Sequence, residues 1–213
     1  MGVIIINPNS TESMTEAMVS AARNAAPDLQ FDGWTSVDGP ASIQGAQDGA
    51  AATPHLLRLV RRASDCGAEG IIIGCFDDTA LKEASSLVDC PVVGLGQASY
   101  HYAALKGWKF SVVTTLAASV PVLEANVRNL GFRDNLARVR ASDVPVLALE
   151  ENPALSGEAI KQEALQAEEN DDIGAVILGC AGMVQVVEDV QNALTIEAID
   201  PVTCTARCMS WLV

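Results

Sequence analysis

Residues 69–76 read EGIIIGCF and residues 174–181 read GAVILGCA. Each is a short apolar run that ends in Gly-Cys, and the two cysteines, Cys75 and Cys180, lie 180 − 75 = 105 positions apart. Continuous Val/Ile runs bounded by glycine mark strands covered on both faces, as in a parallel sheet. Working outward from Ile71–Ile73 and Val176–Leu178, runs of the same kind occur at Val3–Ile6, Val92–Leu95, Phe110–Val113 and Val146–Ala148. The stretches between them have helical spacing and are expected as helices over Glu12–Ala25, Ala46–Ala63, Ala80–Val88, Ser99–Ala104, Val120–Leu130, Glu158–Glu168 and Met183–Leu194. Strands alternating with helices predict an α/β fold with helices on both faces of a parallel sheet.

The two halves repeat one another. VIIINPNSTESM opens the first and FSVVTTLAASVP the second, each a strand, a polar turn and a helix start. From Asn7 to Cys75 is 75 − 7 = 68 positions, and from Thr114 to Cys180 is 180 − 114 = 66. The spacing fits two similar lobes, each contributing one strand-end cysteine. Residues 1–98 are expected to form the first lobe and 99–198 the second. The final stretch, 199–213, is expected as a helix crossing back to complete the first.

At 213 residues the chain buries roughly 70% of its unfolded surface and holds a core without staples. A formal net charge of −14 and a pI near 4.4 speak against a nucleic-acid partner, which needs clustered Lys and Arg. No apolar stretch approaches the ~20 residues of a membrane span. MGVIIINPNS lacks the basic start and small-residue cleavage site of a secretory signal, and reads as a strand that begins at once. Six cysteines in such a chain are expected as reduced thiols in a cytoplasm.

In parallel α/β sheets, ligands gather outside the carboxyl ends of the strands. Asn7-Pro8-Asn9, Cys75, Thr114-Thr115 and Cys180 all occupy such ends. Two thiols flanking one carbon can invert it: one, as thiolate, removes a proton from one face, and the other returns a proton to the opposite face. This is general acid–base catalysis by groups that contribute ~10²–10⁴-fold each. Asp77-Asp78-Thr79 is a candidate helix cap after Cys75, and Gly182 leaves backbone amides accessible beside Cys180. Nearby aspartates raise a thiol's pKa, so their carboxylates are expected to face the helix or the substrate's N–H groups. Neither GxGxxG nor GxxxxGK[ST] occurs, and no His/Cys/carboxylate group has convincing metal spacing. The chemistry is therefore expected to need no metal, pyridoxal phosphate or nucleotide.

INPNST, SIQG at 42–45, GCFDD, VVTT followed by SVPVLE, and GCAGM resemble, in order, the motifs of the hydantoin and allantoin racemase branch of the aspartate/glutamate racemase superfamily. The resemblance runs from residue 3 to about residue 200. It implies two pseudo-symmetric α/β lobes, each a flavodoxin-like parallel-sheet unit, with the active site between them, a cofactor-independent isomerase, a small-molecule substrate, a homo-oligomer, and Cys75 and Cys180 as the acid/base pair. Asn9 and Thr115 carry over as ring-binding candidates; Ser42, Ile43, Thr114, Ala181 and Gly182 join them from the matching motifs. Family members usually continue GCFDD with Pro-Gly, where this chain has Thr79-Ala80. Amino-acid racemases have Asn-Thr after the first cysteine, where this chain has Phe76-Asp77. An apolar wall from Phe76 and an acceptor from Asp77 favour a cyclic ureide over a free amino acid.

An aspartate- or glutamate-type racemase is the alternative, and a decarboxylase or isomerase of the same superfamily another. Decarboxylase relatives keep only the second cysteine. A buried cysteine at a strand end is most often a small hydrophobe, and Cys66, Cys90, Cys204 and Cys208 are read that way. A non-catalytic ligand-binding or thiol-sensing protein on the same fold also stays open. His101 is a lesser pocket candidate, and the roles of Asp78 and Gln97 are unassigned.

Overall fold

The isoleucine run at the N-terminus becomes β1 (Val3–Asn7), buried along its whole length. It sits in mid-sheet, paired in parallel with β2 (Phe31–Thr35) on one side and β3 (Gly70–Ile73) on the other, and β4 (Val92–Gly94) extends the sheet beyond β3. The computed structural model, which describes residues 1–213, repeats this pattern in the second half. There β5 (Phe110–Thr114) is central, flanked by β6 (Leu136–Ala141) and β7 (Ala175–Leu178), with β8 (Glu197–Ile199) outside β7. The orders are β2-β1-β3-β4 and β6-β5-β7-β8, so the repeat in the sequence is a repeat in topology. The two-lobed parallel α/β architecture expected from the sequence is borne out.

Helices α1 (Glu12–Ala25), α2 (Ala46–Asp65), α3 (Leu81–Ser85) and α4 (Leu95–Leu105) connect the first four strands and lead to the second sheet. Helices α5 (Val120–Asn129), α6 (Ala148–Glu151), α7 (Pro153–Asn170), α8 (Val187–Ala193) and α9 (Pro201–Met209) complete the second half. The last of these starts where a sequence reader would place it. Asp200 accepts hydrogen bonds from the amides of Val202 (3.0 Å) and Thr203 (3.2 Å), and Pro201 occupies the first turn, where its missing N–H costs nothing. Helix α9 then packs against α1 and α4.

One apolar cluster runs from Val3, Ile5 and Phe31 of the first sheet through Tyr100 to Phe110, Val112 and Ile177 of the second. Tyr100 stacks on Phe110 (ring centroids 5.6 Å apart) and meets Phe76 edge-on (5.7 Å). Each such buried ring contributes ~1.5–3 kcal/mol from burial alone. The Phe76 contact thereby ties the loop after Cys75 to the shared core.

Three strands escaped the sequence reading, and one expected strand is absent. Strands β2 (FDGWT) and β6 (LARVRA) lie at sheet edges and keep exposed residues, so neither presents a continuous apolar run. Strand β8 is a three-residue edge strand. Val146–Ala148, expected as a strand, is instead a turn leading into α6. Pro145 has no N–H to give to a ladder, and the N–H of Val146 is taken by the Gln44 side chain (2.9 Å). Val146 is buried all the same, and burial is what its apolar neighbourhood in the sequence reported.

Candidate active site

The central strands of both sheets, and the strands next to them, deliver their carboxyl ends to one cleft. At the end of β3 the N–H of Gly74 bonds the Ile6 carbonyl (2.8 Å), and at the end of β7 that of Gly179 bonds the Val113 carbonyl (2.7 Å). The next residue in each lobe is the cysteine, whose carbonyl then closes a tight turn, accepting from Asp78 N–H after Cys75 and from Met183 N–H after Cys180 (3.1 Å each). The backbone before each thiol passes close to the neighbouring strand. A Cβ on Gly74 would lie 3.1 Å from the Ile6 carbonyl oxygen, and one on Gly179 would lie 3.0 Å from that of Val113.

The cleft closes on a small cavity of about 40 Å³. Cys75 and Cys180 both line it, as do Asn9, Ile43, Phe76, Asp77, Thr114, Thr115, Ala181 and Gly182. Ser42 does not line it; its neighbour Ile43 does. The sequence reading passed over Met14, Ser119, Leu123 and Val146, which form much of the remaining wall. Leu123 and Met14 follow their strand ends at helical spacing and read as ordinary core. Beyond Asp77 a wider cleft of about 920 Å³ is lined by Thr79, Lys82, Gln97 and Asn126 among others.

Local hydrogen bonds fix the first-lobe side of the pocket. Asn7 Oδ1 accepts the Asn9 N–H (3.1 Å), its Nδ2 donates to Asn9 Oδ1 (3.0 Å), and Asn9 Oδ1 also accepts the Thr11 N–H (2.9 Å). The start of α1 is thus held by Asn9 rather than by Ser10 or Thr11, and Thr11 Oγ1 donates instead to the Ala41 carbonyl (2.8 Å). The Asn9 Nδ2 group is left against Met14 Sδ (3.7 Å), a weak acceptor on the pocket wall. On the other side, Thr114 Oγ1 donates to the Gly179 carbonyl (3.2 Å), linking β5 to the turn that carries Cys180.

Two hydrogen bonds cross between the lobes beside the pocket. Gln44, from SIQG, accepts the Val146 N–H, and Asn126 of α5 donates from Nδ2 to the Asp77 carbonyl at 2.5 Å. Gly45 completes the approach with φ +138°, a conformation that favours glycine, and a Cβ there would lie 2.9 Å from the Ala118 carbonyl oxygen.

Asp78 does not cap the helix that follows Cys75, as expected; that helix starts only at Leu81. Asp78 is buried and turned towards α4, where Oδ1 accepts the Gly96 N–H (2.9 Å) and Oδ2 the Gln97 N–H (2.8 Å). Gln97 in turn accepts the Gly94 N–H through Oε1 (3.3 Å). Asp78 (φ +53°) and Ala80 (φ +52°) are both left-handed, a strained pair within one loop. His101 lies exposed on α4 with its ring edge-on to Phe132, outside the pocket. Cys204 and Cys208 have no third His, Cys, Asp or Glu gathered with them to hold a metal ion.

The two thiols differ in their surroundings. Burial pushes Cys75 well above the ordinary thiol value, the Asp77 carboxylate, close enough to accept a hydrogen bond from it, adds to the rise, and the Asp77 amide opposes it. Burial also pushes Cys180 up, to about 11, but the amides of Gly182 and Met183 hydrogen-bond its sulfur and oppose the rise. Burial raises Asp77 above the usual carboxylate value, while Thr79 and Cys75, as hydrogen-bond donors, pull it down. Burial raises Asp78 well above that value against the pull of the Gly96 and Gln97 amides.

A sequence profile described as Asp/Glu/hydantoin racemase matches residues 3–209. The chain belongs to that family. Its sequence is 38% identical over 208 residues to a hydantoin racemase of Rhizobium meliloti, covering 97% of this chain and 86% of the relative. It is 34% identical over 215 residues to a hydantoin racemase of Paenarthrobacter aurescens, covering 100% and 91%. Among solved structures, allantoin racemase from Klebsiella pneumoniae superposes with a TM-score of 0.94 at 32% identity, covering 100% of this chain and 87% of that one. Glutamate racemase from Francisella tularensis shares the fold, with a TM-score of 0.73 at 15% identity over 99% and 80%. The resemblance drawn from five short motifs is borne out, and racemase, the enzyme class it implied, is the class of this family. No helix is long and apolar enough to cross a membrane.

Proposed function

We propose that this racemase inverts the hydrogen-bearing carbon of a 5-substituted hydantoin, allantoin or kindred cyclic ureide, with Cys75 and Cys180 as its acid/base pair. The observation that carries the reading is the presence of both thiols on the wall of one pocket, at equivalent strand ends of two like lobes. Inversion needs a proton removed from one face and delivered to the other, and this arrangement supplies a group for each. The pocket chemistry favours a neutral ring over a free amino acid: no Lys or Arg lines it to meet a carboxylate, and its one charged residue is Asp77, an acceptor for ring N–H. Asn9 Nδ2, facing only a thioether, and Thr115 are assigned to ring carbonyls. The amides that meet Cys180 lie where they can also accept developing enolate charge. Phe76, Ile43, Met14 and Leu123 shape the space for the ring substituent.

On the same reading residues 1–98, completed by 199–213, act as one lobe and 99–198 as the other, and the protein self-associates, which sedimentation equilibrium tests. The activity is tested by loss of optical rotation across hydantoins, allantoin and free amino acids, together with Cys75→Ser and Cys180→Ser. Serine keeps the size but is far too weak an acid to serve as base near neutrality. Both variants are expected to lose racemisation, and each to exchange the substrate's hydrogen with deuterated solvent for one enantiomer, the opposite one in each case. Exchange of the same enantiomer by both, or racemisation surviving either change, refutes the two-base assignment. Turnover of amino acids alone refutes the substrate class.

A further inference from the structure

The loop after Cys75 contains a hydrogen-bonded chain that reaches the thiol from behind. Thr79 is buried, and both its N–H (3.0 Å) and its hydroxyl donate to Oδ1 of Asp77. The Asp77 carboxylate in turn accepts a hydrogen bond from the Cys75 thiol. Its backbone is pinned from the second lobe by Asn126 Nδ2, bonded to the Asp77 carbonyl. A proline at position 79 would supply neither donor. No carboxylate is hydrogen-bonded to Cys180, whose sulfur accepts the amides of Gly182 and Met183 and feels the Asp77 charge only from a distance. Both sulfurs meet backbone amides, that of Asp77 at Cys75 and those of Gly182 and Met183 at Cys180, and a carboxylate is hydrogen-bonded at Cys75 alone.

We propose that Thr79 is a positioning residue which fixes the Asp77 carboxylate on the Cys75 thiol, making Cys75 the proton donor and Cys180 the thiol that ionises first to act as base. Its catalytic meaning rests on the racemase reading above. The Cys180 thiolate takes the substrate's proton, breaking C–H and forming S–H, and leaves an enolate. The Cys75 S–H then breaks as its proton forms the new C–H bond on the opposite face. Cys75 is left as thiolate and Cys180 as thiol, and exchange of one proton with water restores the resting state. Asp77 gains and loses no proton; it sets which sulfur holds one. Besides Cys75, the ionisable groups facing Asp77 are Asp48 from α2, Asp78 from the same loop, Tyr100 from α4 and Cys180, while Lys82 of α3 lines the cleft outside. A carboxylate held here favours the neutral thiol because a like charge beside a thiolate destabilises it.

The test compares Asp77→Asn, Thr79→Val and Thr79→Ser with the parent protein, with folding checked by circular dichroism. Iodoacetamide labelling, read at each cysteine by peptide mass spectrometry across a pH series, reports thiolate formation without requiring turnover. Asp77→Asn is expected to move the Cys75 profile to lower pH, with labelling near neutrality about 3–10-fold faster. Thr79→Val is expected to move it in the same direction by less, Thr79→Ser to restore it, and Cys180 to move less than Cys75 in every variant. In turnover, the alkaline limb of kcat/KM is expected to shift to lower pH in Thr79→Val and to return in Thr79→Ser. A Thr79→Val protein whose plateau falls while its labelling profile and alkaline limb stay in place has lost structure only, and overturns the proposal. Shifted labelling in a protein that racemises nothing would instead retain the positioning role and refute the racemase reading.

Discussion

Adding one methyl group before each cysteine should have unequal effects, although the two Gly-Cys steps look alike in the sequence. In Gly179→Ala the new Cβ falls 2.8 Å from Val112 Cγ1, 3.0 Å from the Val113 carbonyl oxygen and 3.2 Å from Thr114 Cα. Carbon contacts are comfortable only at about 3.5–4.0 Å. Two of the three obstacles are main chain of β5, the central strand, so they cannot rotate away and the β5–β7 spacing has to widen. Gly74→Ala meets the tip of Met18 first, with Cε at 2.9 Å and Sδ at 3.0 Å, and then the Ile6 carbonyl at 3.1 Å. An unbranched thioether can swing aside. Overpacking costs ~1–3 kcal/mol, and Gly179→Ala belongs at the upper end of that range and Gly74→Ala at the lower. A chain of this size loses roughly 2–4 °C of Tm per kcal/mol. The expected losses are therefore about 5–10 °C for Gly179→Ala and about 2–4 °C for Gly74→Ala. Because the displaced residue carries Cys180, turnover should fall further in Gly179→Ala as well. Thermal unfolding by circular dichroism and initial rates by polarimetry measure both quantities. Equal losses, or a larger loss in Gly74→Ala, would refute the distinction between a rigid and a yielding neighbour.

Ala80 is left-handed, which costs a residue with a Cβ ~1–2 kcal/mol; part of that returns as the greater freedom of an unfolded glycine, so Ala80→Gly should raise Tm by about 1–4 °C, and a fall would show that the loop is not strained. Stability should also drop in alkali: in the fold Cys180 lies at about 11 and Cys204 at about 12, above the ordinary 9.0, so the unfolded chain ionises first. That contribution is complete below about pH 9 and is lost as the pH rises towards 11, and a Tm at pH 10.5 no lower than at pH 8 would contradict it. Asn126→Ala removes the cross-lobe hydrogen bond to Asp77, at ~1–2 kcal/mol of stability, and kcat/KM is expected to fall about 10-fold as the Cys75 loop loosens; stability lost with full kcat/KM retained would make the bond merely structural.

What the sequence made legible follows from burial. Strands β1, β3, β5 and β7 are covered on both faces, so their Val/Ile runs stand out and the Gly-Cys steps that end them can be read directly. Edge strands β2 and β6 keep one wet side and alternate with Asp, Gly and Arg, which removes the run that would announce them. Val146 was misread for the complementary reason: an apolar residue is buried in a pocket wall as readily as in a sheet, and sequence does not distinguish the two. The pocket residues supplied by strand ends were legible because topology places all strand ends together. Asn126 and Gln44 were not, since each acts across the lobe boundary on a backbone group far away in the chain, and no local spacing records such a partner.

On the proposed two-base reading, the strand-then-thiol device occurs twice because inversion needs one group for each face, and the copies differ in the proton each is to hold. Two related lobes each place one thiol on the wall of a single pocket, and the proposed inversion uses one of them for each face of the carbon. Perfect symmetry, however, leaves two identical thiols sharing one proton, with neither committed to be acid or base. A carboxylate hydrogen-bonded to one sulfur and not to the other removes that degeneracy. For mirror-image substrates the equilibrium constant is unity, so kcat/KM must be equal in the two directions whatever the protein does to its thiols. Any unequal effect on the two enantiomers can therefore appear only in how kcat and KM are divided, while the pH at which the working protonation state is populated moves both directions together. That places the consequence of Asp77 and Thr79 in the pH profile and in the separate constants, where a change in either residue has to be sought.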